Sequence, residues 1–275
     1  MNATKNNSFS PEGELKGTKS VALILGGSSG LGLATANKLA SEGFDIIVVH
    51  RDRRSDLSDI ERSFEEIKAY KVKFINFNLD ATNPEKRVEI LEGIRKFLPF
   101  GKKLKVMVHS IAKGNLKPMF PVDKSSLGSS DFHLTLDAMA ISLYDWARDL
   151  VEADLFADDA RIVSFTSEGN TKALPNYGAV SAAKAALEAI TRNMALEFAP
   201  LGIKANCIQA GVTDTASFKM IPDSDNIKKA ALNRNPHGRL TTPEDVANAV
   251  YLLTTDEAKW ITGTVIKVDG GESLR

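Results

Sequence analysis

A phenol and an ammonium group are spaced in this chain for proton chemistry. Tyr177 precedes Lys184 by seven positions, and Ser167 lies ten positions before Tyr177. On a helix, seven residues turn the chain through about 700°, within about 20° of two full turns, so both side chains would share one face. An ammonium beside a phenol favours the phenolate and lowers its pKa, which makes tyrosine a usable proton donor near neutrality. Spacing alone fits equally a core tyrosine at a helix start and a lysine that snorkels to water. Position favours the chemical reading, because the pair follows the end of the strand-like run Ser164-Phe165-Thr166-Ser167.

A second constellation is built to hold a dinucleotide. Gly26-Gly27-Ser28-Ser29-Gly30-Leu31-Gly32 follows the apolar run Val21–Leu25 and opens an amphipathic stretch, 33–39. Strand, glycine-rich turn and helix start, in that order, make a cradle for a pyrophosphate. Glycines let the main chain approach the phosphates, and the unpaired N–H groups of the helix start face the negative charge. Gly26, Ser28, Ser29, Gly30, Leu31 and Gly32 are the expected contacts.

The end of the second apolar run should select the cofactor. An acidic residue there would bind ribose hydroxyls and repel a 2′-phosphate. This chain has His50-Arg51-Asp52-Arg53-Arg54 instead. A guanidinium grips phosphate through two hydrogen bonds and stays charged at working pH. NADPH is therefore expected over NADH, with Arg51 first on the phosphate and Arg53 or Arg54 in support. Asp52 offsets part of that charge, and a solvated basic loop is the plainer alternative. Asp80, followed by Ala81, could accept from the adenine amino group or could cap the helix starting near Pro84.

These residues need a scaffold that gathers them. Apolar runs at 21–25, 46–49, 73–76, 106–109, 161–165, 204–208 and 265–268 are rich in Val and Ile with little polar alternation. That is the pattern of parallel strands covered on both faces. Helical patterns at 32–41, 58–70, 86–97, 134–152, 180–198 and 243–253 lie between them. The alternation predicts an α/β fold: a doubly wound, mostly parallel, Rossmann-like sheet in a single domain over 20–275. The stretches 114–131 and 212–242 are long, rich in Pro, Gly, Ser and Asp, and follow strand ends. Ligands lie beyond the carboxyl ends of such strands, so both are candidate substrate walls, with 212–242 the substrate loop. Phe218, Met220 and Ile221 in that loop could cover a bound substrate or simply anchor the loop.

Composition excludes several classes. Lys+Arg and Asp+Glu are equal at 35 each among 275 residues, so no basic excess points to nucleic acid or an anionic membrane. No apolar run approaches the ~18–20 residues of a membrane span. Residues 1–19 are polar and without a secretory core, so a flexible tail and a cytoplasmic protein are expected. Cys207 is the single cysteine and has apolar neighbours, which suits a buried, inert thiol more than a nucleophile. His50, His109, His133 and His237 show no metal-ligand spacing, and no Gly-x-Ser-x-Gly elbow is present.

Taken together, Gly26-x3-Gly30-x-Gly32, Asp80, Ser167, Ser181-Ala182-Ala183-Lys184-Ala185-Ala186-Leu187-Glu188 and Ile261-Thr262-Gly263 through Val268-Asp269-Gly270-Gly271 resemble the short-chain dehydrogenase/reductase family from 20 to 274. The ordinary pattern of that family is altered at four places. Its catalytic tyrosine, four residues before the lysine, is Val180 here, and its catalytic asparagine is Ala140. His109-Ser110-Ile111-Ala112 replaces Asn-Asn-Ala-Gly, and Leu25 replaces the threonine before the first glycine. The same departures resemble the enoyl-acyl carrier protein reductases of bacterial fatty-acid synthesis. Those carry Tyr-x6-Lys, His-Ser-Ile and Pro-Asn-Tyr, met here by Tyr177 with Lys184, His109-Ser110-Ile111 and Pro175-Asn176-Tyr177. Ala210-Gly211 and Thr213-Asp214-Thr215 are similar to their nicotinamide loop, and the intact glycine motif is similar to the NADPH-using branch. Many members place a second tyrosine one residue after the Ser167 position, where this chain has Glu168.

The resemblance implies NADPH-dependent reduction of the carbon–carbon double bond of a trans-2-enoyl thioester, with the acyl group on acyl carrier protein in that family. It implies Tyr177 on the enolate oxygen, Lys184 on the nicotinamide ribose, and Ser167 orienting cofactor or substrate. Ser110, Ile111, Ala112, Gly211, Val212, Thr213 and Thr215 would complete the cofactor site. A homotetramer through the helices 134–152 and 180–198 is implied as well. The alternatives are a carbonyl or ketone reductase of the same superfamily and a non-catalytic NADPH-binding protein.

Overall fold

Val- and Ile-rich runs pair into one sheet of seven strands, all parallel, in the order β3-β2-β1-β4-β5-β6-β7. The strands are β1 (Val21–Leu25), β2 (Asp45–His50), β3 (Phe74–Asn78), β4 (Leu104–His109), β5 (Phe156–Ser167), β6 (Lys204–Ala210) and β7 (Val265–Val268). This computed structural model describes residues 20–120 and 126–275. The expected tail 1–19 and the centre of the 114–131 connection therefore lie outside the described residues.

Successive β1 residues feed opposite cores, as a doubly covered strand requires. Leu23 and Leu25 pack with Ile90 and Ile94 of α3 (Pro84–Phe97), Trp146 of α5 (Ser142–Glu152) and Leu187 of α6 (Gly178–Glu197). Ala22 and Ile24 pack with Leu39 of α1 (Gly30–Ser41), Phe64 of α2 (Leu57–Lys68) and Val250 of α9 (Pro243–Thr254). Strand order reverses direction between β1 and β4, so their carboxyl ends splay apart into the crevice where such sheets bind ligands. Register brings the strand ends to one rim, with Leu25 opposite both Val49 and His109, and Ser167 opposite Ala210.

Local chemistry fixes the helix starts. Asn83 caps α3 by accepting from the Lys86 N–H, ahead of Pro84. Asp80 is therefore not that cap; it accepts instead from the Thr82 N–H and hydroxyl. Thr242 and Asp245 form a reciprocal capping box before α9.

Two expectations need correcting. The continuous helix expected over 134–152 is broken into α4 (Ser129–Leu136), a π-helical turn (Asp137–Ile141) and α5. The substrate loop 212–242 is not all loop, since it contains α7 (Ala216–Lys219) and α8 (Ser224–Arg234). Short helices of low amphipathicity leave little trace in a sequence pattern. No helix among the described residues is long and apolar enough to cross a membrane.

Candidate active site

A cleft of about 1080 Å³ opens along the carboxyl ends of β1, β2, β4, β5 and β6 and runs beneath α7 and α8. That is the upper end of the size usual for ligand and cofactor sites, roughly 300–1,000 Å³.

One end is the glycine turn. Gly26 has φ +85°, and a Cβ there would sit 2.6 Å from the Ser110 carbonyl oxygen, so only glycine lets the turn cross β4's exit. Ser29 sits extended at the start of α1 and makes no side-chain cap bond, which leaves the first-turn N–H groups uncommitted. Ser28, Ser29, Gly30 and Leu31 line the cleft at that helix end. Backbone donors and the positive end of the helix thus meet in a cradle that side chains would fill, which fits a pyrophosphate. Gly32 is a correction: it lies off the cleft lining, and a Cβ there would sit 2.0 Å from the Gly26 carbonyl oxygen. Its contribution is close packing of helix against turn.

At the end of β2, Arg51 lines the cleft and its Nη1 donates to Asp80 Oδ2 at 2.9 Å. Lys113 approaches the same carboxylate at 3.6 Å, so two cations flank Asp80 at this rim. Burial raises the Asp80 carboxyl, but hydrogen bonds from Thr82 and the charges of Lys113 and Arg51 outweigh it and hold it below its usual range. Arg53 and Arg54 are exposed and lie outside the cleft lining, so the expected support for Arg51 does not come from them. Lys113 has the position for that support. Ala81, Ser110, Ile111 and Ala112 line the cleft from the other side, and Gly211, Val212, Thr213 and Thr215 after β6.

The other end holds the phenol. Tyr177 is the residue before α6 and Lys184 lies within that helix, and both line the cleft with Ser167. Ser167 Oγ and Tyr177 Oη are 3.2 Å apart. The tyrosine ring packs among Ala138, Met139, Val180 and Ala183. Burial pushes its pKa up, only partly offset by the hydrogen bond to Ser167. The expectation that Lys184 would lower it is therefore corrected. Lys184 Nζ donates to the Phe165 carbonyl at 2.6 Å, and burial pushes its pKa down to about 8 against the opposing influence of Cys207 and Glu188. Cys207 is buried beneath, hydrogen-bonded with Ser164 and Thr191, and burial pushes its thiol up, as an inert sulfur would be.

Behind the lysine, His109 is buried, and burial together with the Lys184 charge pushes it down to about 3, so it is neutral. Ser142 Oγ donates to the Ala138 carbonyl at 2.8 Å, so His109 Nε2 is the donor to that oxygen, also at 2.8 Å. This bond ties β4 to the start of α5, and Ser142 in turn holds the π-turn that carries the buried Ala140.

Sequence reasoning missed the ion pairs that join α8 to the end of β5 and to the C-terminal turn beside the cleft. Arg234, the last residue of α8, bridges Glu168 at 2.9 Å and Glu272 at 2.8 Å. Lys172 adds a second contact to Glu168 at 2.5 Å. Burial raises the Glu168 carboxyl, but Lys172 and Arg234 outweigh it and hold it below its usual range. Glu272 accepts from the Val212 N–H, so the same carboxylate steadies the turn after β6. The partners are 66 and 38 residues apart, a distance at which no local pattern speaks. Glu188, one turn after Lys184, accepts from Thr166 and from Asn170, and so pins the end of β5 to α6. Phe218, Met220 and Ile221 all line the cleft, with Ile221 packed on the cluster around Tyr177.

Comparison with known proteins follows this geometry. Residues 26–273 match the family described as Enoyl-(Acyl carrier protein) reductase. The chain is 30% identical over 253 residues to the uncharacterized oxidoreductase YjdA of Bacillus subtilis, covering 91% of this chain and 96% of that one. It is 27% identical over 259 residues to a 1-cyclohexenylcarbonyl-CoA reductase of Streptomyces collinus, covering 93% and 88%. It is also 27% identical over 251 residues to a cyclopentanol dehydrogenase of Comamonas sp. (strain NCIMB 9872), covering 91% of this chain and 96% of that one. The solved enoyl-[acyl-carrier-protein] reductase (NADH) of Aquifex aeolicus superposes with a TM-score of 0.75 at 26% identity, over 96% of this chain and 99% of that one.

Proposed function

This chain belongs to the short-chain dehydrogenase/reductase family and is an NAD(P)H-dependent oxidoreductase; from that premise we propose that it uses NADPH to reduce the double bond of a trans-2-enoyl thioester. The observation that carries the reading is the buried, hydrogen-bonded Tyr177 seven residues before Lys184, with apolar Val180 where a carbonyl-reducing member would hold its proton donor.

NADPH, when held in the cleft, would supply a hydride for the β-carbon of the enoyl group. Charge would then develop on the thioester oxygen, where Tyr177 Oη would donate a hydrogen bond, and the α-carbon would take its proton from water to complete the saturated thioester. A donor kept protonated by burial is suited to stabilise that enolate oxygen, since it need not be regenerated from phenolate. Ser167 holds the phenol in place. Lys184, anchored on Phe165, presents its remaining N–H groups to the ribose hydroxyls. Arg51, with Lys113 beside it, takes the 2′-phosphate. Phe218, Met220 and Ile221 cover the acyl chain. The 1-cyclohexenylcarbonyl-CoA reductase among the relatives, by its name, acts on a thioester of the same class. The substrate would arrive on acyl carrier protein, in the cytoplasm.

The test is NADPH oxidation with crotonyl and dodecenoyl thioesters against a panel of ketones. Turnover of the thioesters is expected. Turnover of ketones alone would overturn the assignment, and NADH used as well as NADPH would overturn the cofactor choice.

A further inference from the structure

The carboxylate of Asp52 is held away from the cleft. Val49, His50 and Arg51 line the cleft at the end of β2, and Asp52 does not. His50 is buried, and its Nδ1 lies 2.8 Å from Asp52 Oδ2, where it must donate because a carboxylate only accepts. The ring is fixed from two further sides. Its Nε2 is 3.2 Å from the Asn76 side chain, and Phe64 packs edge-on at 5.4 Å between centroids. Asp52 is also fixed through its backbone: its N–H donates to Asn78 Oδ1 at 3.0 Å, and its carbonyl accepts from Asn78 Nδ2 at 3.3 Å. Parallel pairing of β2 with β3 sets His50 opposite Asn78 and so delivers these groups together.

We propose that His50 is a cofactor-specificity residue: by binding the Asp52 carboxylate it removes from the ribose site the acidic group that would repel a 2′-phosphate, leaving Arg51 to meet it. The inference rests on the NADPH reading above. A carboxylate loose at the end of β2 would hydrogen-bond ribose hydroxyls and disfavour the phosphate. The guanidinium of Arg51 lies at the rim, 2.9 Å from Asp80, and is 60% exposed, so it can turn to a bidentate grip. His50 thus acts through Asp52 and is a positioning residue.

Calorimetric titration with 2′,5′-ADP and with 5′-AMP isolates the phosphate without turnover. The wild-type protein should favour 2′,5′-ADP by about tenfold or more, and Arg51→Ala should collapse that ratio. Their failure would sink the NADPH reading itself. Given both, Asp52→Asn alone should change the ratio by less than about twofold, because the charge it removes is already sequestered. His50→Leu should cut the ratio about fivefold or more, and adding Asp52→Asn to it should restore the ratio. His50→Asn, whose amide can replace the Nδ1 donor, should keep it. Circular dichroism melts of each variant check folding. A ratio that rises strongly in Asp52→Asn, or one unmoved in a folded His50→Leu, would overturn the role of His50 while leaving Arg51 in place.

Discussion

Replacing Tyr177 with Phe removes one oxygen from the cleft and leaves the ring on Met139, Val180 and Ala183. Among the described residues the hydroxyl's hydrogen-bond partner is Ser167, 3.2 Å away, whose own side chain is half-buried and can turn to water. Loss of such a bond costs about 0.5–1.5 kcal/mol, and the lower end applies where water replaces the partner. For a chain of this size about 0.5 kcal/mol is a fall of about 1–2 °C in Tm. The catalytic effect should be much larger. A donor aimed at a developing oxyanion is worth about 10²–10³ in turnover, or about 2.7–4 kcal/mol. The phenol plays no part in the glycine turn or the Arg51 rim, so NADPH affinity should move by less than about threefold. Initial rates of NADPH oxidation with crotonyl thioester, calorimetric NADPH binding and a thermal melt separate these three quantities. Near-normal turnover in the variant would refute the assignment of Tyr177. A loss of NADPH affinity matching the loss of rate would show the ring to be part of the cofactor seat instead.

Arg234→Leu should release α8 from Glu168 and leave the buried Glu272 without its cation, lowering stability by about 1–3 kcal/mol and raising KM for the thioester; melts and steady-state kinetics check this. Lys184 titrates near pH 8 in the fold against its ordinary 10.5, so the unfolded chain binds more protons between those values and stability should rise with pH across that window. Denaturant titrations of the cofactor-free protein should show wild type gaining up to about 3 kcal/mol relative to Lys184→Met from pH 7.5 to 10.5; a flat difference would refute the buried ammonium. The homotetramer implied by the family resemblance would cover Ile141 and Tyr144, both more than 40% exposed beside a groove lined by Ala189 and Ile190 of α6. Ile141→Asp with Tyr144→Asp should then reduce the mass measured by light scattering to that of a smaller species.

The inner strands were legible because burial on both faces leaves unbroken Val and Ile runs such as Ile46-Ile47-Val48-Val49, while the half-buried edge strands β3 and β7 still carried short apolar runs. The glycine turn was legible because one chemical demand, close approach of backbone to phosphate, fell within seven consecutive residues. What stayed hidden depended on distant partners. Nothing near Arg53 tells that it faces solvent while Lys113 stands beside Asp80, because that contact joins the ends of different strands. The break in 134–152 was hidden for another reason. The π-turn inserts one residue into an otherwise apolar helix face, and the bond that marks it, Ser142 to the Ala138 carbonyl, uses residue types common in any helix.

The direction of two pKa shifts bears on which reaction the spacing serves. Burial moves Tyr177 up and Lys184 down, so each change favours the uncharged form of the pair. Reducing a ketone requires a full proton delivered to an alkoxide, and a donor readied for that task is assisted by an ammonium close to its oxygen. Here the lysine donates to Phe165, and the phenol's hydrogen-bond partner is Ser167. A phenol left above its ordinary pKa is a poor acid but a sound hydrogen-bond donor, and an enolate oxygen needs the second property while its carbon takes up the proton. On the enoyl-reduction reading proposed above, the three-residue shift from position 180 to position 177 exchanges acid strength for placement, which suits hydride addition to an activated alkene.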